Sequence, residues 1–163
     1  MKEKIADKLL WIALFFMSYW FFGNLYEEIV LIPNQRFNAL EVLTCWQSYF
    51  NTTDQVYYFV PCMLIAVIGT CVLFFKTKER TQRSYLKKAT IFSMIATGLT
   101  IVIVNEINER LFYGNLEKMK DQLRMLSILW LIGNAIRLCL VGTAMYYLFK
   151  AIIHKKSRII GNM

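Results

Sequence analysis

The segment 124–150, RMLSILWLIGNAIRLCLVGTAMYYLFK, carries one charge, Arg137, among the 25 residues between Arg124 and Lys150. About 20 mainly apolar residues carry a helix across ~30 Å of hydrocarbon. A guanidinium in the middle of such a helix is costly unless it faces a bundle interior and finds a partner. The segment therefore reads as a membrane span that has neighbours. Three blocks upstream supply them: 18 uncharged residues between Lys8 and Glu27, 21 between Asp54 and Lys76, and 17 between Lys88 and Glu106. The 163-residue chain is 57% hydrophobic and 18% charged, against ~45–50% and ~25% for a soluble domain. That balance excludes a soluble enzyme, a disordered tail and a nucleic-acid-binding domain. The expected fold is all-α, an integral membrane bundle of four transmembrane helices. It forms a single domain over residues 1–163, with spans at about 8–31, 55–75, 86–108 and 123–150.

The net charge of +8 is distributed as lipid anchors are. Lys2, Lys4 and Lys8 precede the first block, six bases from Lys76 to Lys88 fill the second loop, and four lie from Lys150 onward. Excess Lys and Arg mark the cytoplasmic side. With both termini and the second loop inside, 13 bases are cytoplasmic and 5, Arg36 among them, lie outside. The expectation is a bacterial inner-membrane protein with both termini cytoplasmic and membrane lipids as its surroundings. The first block ends in SYWFFGNLYEE, residues 18–28, which lacks the small residues of a signal cleavage site. It reads as a retained helix.

Local signals set the expected boundaries. Pro33 should stop span one, since proline cannot continue the helical ladder. Phe37, Leu40, Leu43, Trp46 and Phe50 recur every three to four residues, as in a short amphipathic helix in the first outer loop. Thr52 with Gln55 has capping-box spacing before span two, and Pro61 should kink that span. Asn115 should cap a last helix from Leu116 to about Ile153, whose first turns, Leu116–Arg124, would project as a docking surface. Small residues at four-residue spacing, which permit close helix approach in lipid, form three ridges: Cys62, Ala66 and Thr70; Ala89, Ser93 and Thr97; Ala135, Cys139 and Thr143.

The four cysteines include no C-x-x-C pair, and the single histidine, His154, sits in a Lys-rich tail. Haem and non-haem iron sites generally use more than one such ligand, so no metal or cofactor is expected. Intramembrane polarity is the informative feature. Trp20, Asn24, Glu27, Glu28 and Leu31 share a helical face, as do Asn105, Asn108 and Glu109, and so do Ser127, Trp130, Asn134, Arg137 and Val141. Arg137 is expected to reach Glu28 or Glu27, with Asn24, Asn105 and Asn134 completing the hydrogen bonds. This cluster is either a buried ion pair that fixes helix register or the floor of a polar pocket. In a pocket, Glu27 and Glu28 are the candidate catalytic acid/base groups. Trp20 and Trp130 are either core or walls for a flat ligand. Asn24, Asn105, Asn108, Asn134 and Arg137 would complete the binding of a lipophilic small molecule.

The chain resembles the anthrone-oxygenase-like family of small four-helix membrane proteins. The resemblance rests on GNLYEEIVLIPN (23–34), SYFNTTDQVYYFVP (48–61), VNEINERL (104–111) and GNAIRLCLVGTAMYYLFKAI (133–152). It implies a cofactor-independent oxygenase that converts anthrone-type aromatics to quinones, in a closed apolar cavity lined by Trp20 and Trp130. It points to Asn24, Tyr26, Glu27, Glu28, Asn105, Asn108, Asn134 and Arg137. No histidine stands in the spans, so the base would be Glu27 or Glu28. A binding or transport protein for an amphiphile or lipid, and a membrane scaffold subunit, remain open beside it, as does the oligomeric state.

Overall fold

The computed structural model describes residues 3–161, and all side chains among them except those of residues 3–4, 36–37 and 159–161. The charges of Lys2, Lys4 and Arg36 and the place of Phe37 in the loop stripe lie outside the described residues. Helix α1 (Glu3–Tyr26) runs into a π-helical segment (Glu27–Leu31) and then α2 (Ile32–Phe37). Helices α3 (Ala39–Tyr49), α4 (Gln55–Lys76) and α5 (Arg80–Ile103) follow. Helix α5 continues into a second π segment (Val104–Tyr113), and α6 (Lys120–Gly161) ends the chain. Four helical stretches are long and apolar enough to cross a membrane: Ile5–Gln35, Gln55–Lys76, Arg80–Tyr113 and Lys120–Arg158. The protein is an all-α integral membrane bundle.

The spans form a ring in which α1 packs on α4, α4 on α5, α5 on α6 and α6 back on α1. Ion pairs Lys155–Asp7 (2.6 Å) and His154–Glu79 (3.2 Å) join the chain termini to the α4–α5 connection at the basic end. Two apolar cores fill the ring. The one toward the basic end is built on Met17, Trp20, Leu73, Leu86, Val141 and Leu148. The other, at the α3 end, is built on Ile32, Leu43, Ile103, Leu111, Leu123 and Trp130. Helix α3 is the expected loop helix, and it closes the bundle: Leu43 is fully buried. Gln47 Nε2 donates to the carbonyls of Leu111 (3.3 Å) and Gly114 (3.0 Å).

Several boundaries differ from the sequence reading. Pro33 does not end span one. It sits in the first turn of α2, where a missing N–H costs no helical bond, and the π segment before it carries the helix on to Phe37. Thr52 does not cap α4. Asp54 does, accepting from the amides of Val56 (2.8 Å) and Tyr57 (3.3 Å), while the Thr52 hydroxyl donates to Asn51 Oδ1. Pro61 lies inside α4, which extends on both sides of it. Asn115 Oδ1 accepts from Lys118 N (3.2 Å), but it closes a turn, and regular helix begins at Lys120. Leu116 and Leu123 are buried in the second core, while Glu117, Lys118, Lys120, Asp121, Gln122 and Arg124 on the same segment are exposed.

The ridges divide too. Ala66, Thr70, Ala89 and Ser93 are buried at helix contacts, whereas Cys139 is exposed. The face that α6 turns inward is Trp130, Asn134, Arg137, Val141, Ala144 and Leu148. A helix has one inward face, and pairing Arg137 fixes which one it is.

Candidate functional site

Between the two cores lies a polar layer built by α1 and α6. Asn24 on α1 and Glu27, the first residue of the π segment that continues it, stand three residues apart, and Asn134 and Arg137 stand three apart on α6. All four are buried. Arg137 Nη2 donates to Glu27 Oε2 at 2.7 Å and to Asn134 Oδ1 at 2.6 Å. Asn134 Nδ2 donates to the same Glu27 oxygen at 3.4 Å. Both donors converge on Oε2, leaving Oε1 outside this network. Charge-assisted bonds of this kind are about twice as strong as neutral ones, so the carboxylate is held firmly in place.

Glu28 is not the partner. The π segment opens at Glu27, and of the two adjacent carboxylates only Glu27 bonds to Arg137. Glu28 is half-buried and its Oε2 accepts nothing. The span-three amides are also apart from the network. In the second π segment Asn105 is exposed and takes no part in the layer, while Asn108 is half-buried with an unpartnered Oδ1. A spacing of three, as between Asn105 and Asn108, places residues on one face of an α-helix, but the wider π turn rotates them apart. Asn24 is fully buried with neither amide atom bonded, as are the indole N–H groups of Trp20 and Trp130. Trp20 belongs to the first core and Trp130 to the second, and neither lines the cavities described below. Beside this layer the structure has something different from a closed chamber.

That something is an open cleft of about 1020 Å³ between α1 and the start of α4, roofed by the strap from Tyr49 to Asp54. Its walls are aromatic: Phe15, Tyr19, Phe22 and Tyr26 from α1, Tyr58 and Phe59 from α4. Tyr19 and Tyr58 stack at 4.7 Å. Gly23 has no side chain, and the Phe59 ring occupies the space a Cβ would need. Glu27 lines this cleft, so the ion-paired carboxylate belongs both to the polar layer and to the cavity wall. The cleft was detectable in principle, because Phe15, Tyr19, Phe22 and Tyr26 repeat at spacings of four, three and four. Interfacial belts of aromatics produce a similar composition and mask that signal.

Among the described residues, no group of three or more His, Cys, Asp or Glu is placed to hold a metal ion. Comparison of the chain with family models, curated proteins and solved structures finds no match.

Proposed function

We propose that the protein binds a flat, lipophilic aromatic molecule in the cleft between α1 and α4 and presents Glu27 to it. One observation carries this reading: a carboxylate fixed through Oε2 by Arg137 and Asn134 lines an aromatic cavity of about 1020 Å³. Aromatic walls accept a flat ring system face-on. A carboxylate held in one orientation accepts a hydrogen bond or a proton from it. Chemistry of the anthrone-oxygenase kind would follow in three steps. Glu27 takes a proton from the ring methylene; the carbanion forms a C–O bond to dioxygen, which is reduced; loss of water leaves the quinone carbonyl. Glu28 is the second carboxylate nearby. The cleft's openness favours a second reading, a carrier that binds the same ligands without turnover.

The excess of Lys and Arg at the basic end supports setting that end in the cytoplasm of a bacterial inner membrane. Cys45, exposed on α3, should then react with an impermeant maleimide in intact cells. Complete protection would reverse the orientation.

Binding is tested with purified protein in lipid nanodiscs and a panel of anthrone-type polycyclic phenols, read by thermal stabilisation and oxygen uptake. Saturable stabilisation is expected, with affinity reduced about ten-fold in Glu27→Gln by loss of a charged acceptor. Tyr19→Leu, remote from the ion pair, should weaken binding as well. No stabilisation by any member overturns the reading. Stabilisation without oxygen uptake selects the carrier.

A further inference from the structure

A chamber of about 210 Å³ adjoins the cleft, between the end of α3, the first turn of α4 and the second π segment. The two cavities share Phe50, Asp54 and Gln55 as a common wall. The chamber's lining has a consistent chemistry. Trp46, Phe50, Phe112 and Tyr113 supply aromatic rings, Asp54 is the one charged side chain, and no Lys or Arg appears among its described residues. Gln47 is committed to the carbonyls of Leu111 and Gly114, and Asp54 Oδ1 to the first amides of α4. Asn108 Oδ1 is buried and accepts no bond. A buried acceptor without a donor is destabilising, and a ligand that donates to it relieves that cost.

We infer that cleft and chamber form one composite site for a lipophilic amine, the ring system lying in the cleft and the protonated nitrogen in the chamber. This inference rests on the binding reading above and names the chemical class of its ligand. Three features favour the ammonium over other polar heads. Aromatic faces attract a cation through their quadrupole. The Asp54 carboxylate opposes an anion and attracts a cation. Asn108 Oδ1 calls for an N–H or O–H donor, which excludes a quaternary nitrogen. Phe50 stands in both linings, so its ring is the partition that a ligand spanning the two must lie beside.

The test uses three fluorescent probes of one body and one tether: 1-pyrenebutylamine, 1-pyrenebutanol and 1-pyrenebutyric acid. Each is titrated against the protein in phosphatidylcholine nanodiscs and corrected for partition into empty discs. The amine should bind about ten-fold more tightly than the alcohol, as expected for a desolvated cation–aromatic contact plus one charged hydrogen bond, and the acid most weakly. Asp54→Asn keeps a good helix cap while removing the charge. It should cut the amine's advantage to about three-fold or less with the alcohol unchanged, and Asn108→Leu should weaken amine and alcohol alike, the charged donor losing more. Equal binding of amine and alcohol, tighter binding of the acid, or a preference that survives both variants overturns the inference while leaving the cleft reading intact. If none of the three probes binds, the cleft reading itself fails.

Discussion

The two halves of the bundle handle polarity in opposite ways. Toward the basic end the helices are regular, and buried hydroxyls bond back to their own backbones. Thr70 donates to the Ala66 carbonyl at 2.6 Å and Ser93 to Thr90 at 3.0 Å. Small residues bring helices together, and Gly69 lies directly against Ala13. At the α3 end the helices abandon regularity. Both π segments, the turn at 115–119, the strap at 50–54 and the ion pair lie there. Buried polar atoms without partners also concentrate there, on Asn24, Glu28, Gln35, Asn108 and Arg137. Insertions of π geometry recur at functional sites because they re-aim side chains at the cost of helical bonds. Here the first one begins at Glu27. One half of the molecule is scaffold and the other carries the candidate chemistry.

The sharpest way to break that comparison is to remove the guanidinium. Arg137→Leu leaves Glu27 buried and unpaired, and should destabilise the fold by about 3–5 kcal/mol. Thermal unfolding in detergent would read it. Replacing both, Glu27→Leu with Arg137→Leu, should recover most of the loss, since a buried pair contributes little net stability over apolar packing. Full stability of the single variant would mean that the polar layer is solvated and the pairing incidental.

The scaffold half should respond more mildly. Leu148 is fully buried in the first core. In water, Leu→Ala costs 2–5 kcal/mol from transfer and cavity together. Lipid tails are as apolar as leucine, so in a membrane only packing remains. Leu148→Ala should therefore cost about 2 kcal/mol or less and leave ligand binding unchanged. A loss as large as that of Arg137→Leu would erase the contrast between the halves.

How far each half is legible in the sequence follows from the same contrast. Regular helices obey the spacing rules, so the four apolar blocks, the buried Ala66–Thr70 and Ala89–Ser93 contacts and the inward Trp130–Asn134–Arg137 stripe are readable from residue types alone. Arg137 also announces that a carboxylate lies nearby. Which carboxylate it is depends on how α1 packs against α6, which no local signal marks, so Glu27 and Glu28 are indistinguishable on paper. Nor does any local signal mark the helix that restarts at Ile32 and takes Pro33 into its first turn. Ala135, Cys139 and Thr143 look like a packing ridge, yet Arg137 on the neighbouring face outweighs them. The cleft is formed by Tyr49–Asp54 folding over α1, a tertiary event without periodicity.

The strap can be tested through its anchor. Asp54 holds the first turn of α4. Asp54→Ala should cost about 1 kcal/mol as a lost cap and loosen the cleft roof, seen as faster hydrogen exchange confined to residues 50–58. Exchange that spreads into α5 and α6 would mean that the two halves are not independent.

The smallest expected effect belongs to the opposite end. Glu79 caps α5, accepting from the amides of Thr81 (2.9 Å) and Gln82, with His154 Nε2 at 3.2 Å. Slight burial pushes its carboxyl up, but the Gln82 and Thr81 amides and His154 outweigh that and hold it below its ordinary value of 4.5. A carboxyl depressed by folding stabilises the fold when ionised. The contribution is complete above the ordinary carboxylate value and fades as pH falls through the lowered one. The site is partly exposed, so the effect is a few tenths of a kcal/mol after solvent screening. Glu79→Gln should flatten the acid limb of the unfolding midpoint below about pH 4.5 while leaving ligand affinity at neutral pH unchanged. A shift in affinity instead would show that the basic end communicates with the cleft, and the division between scaffold and site would have to be redrawn.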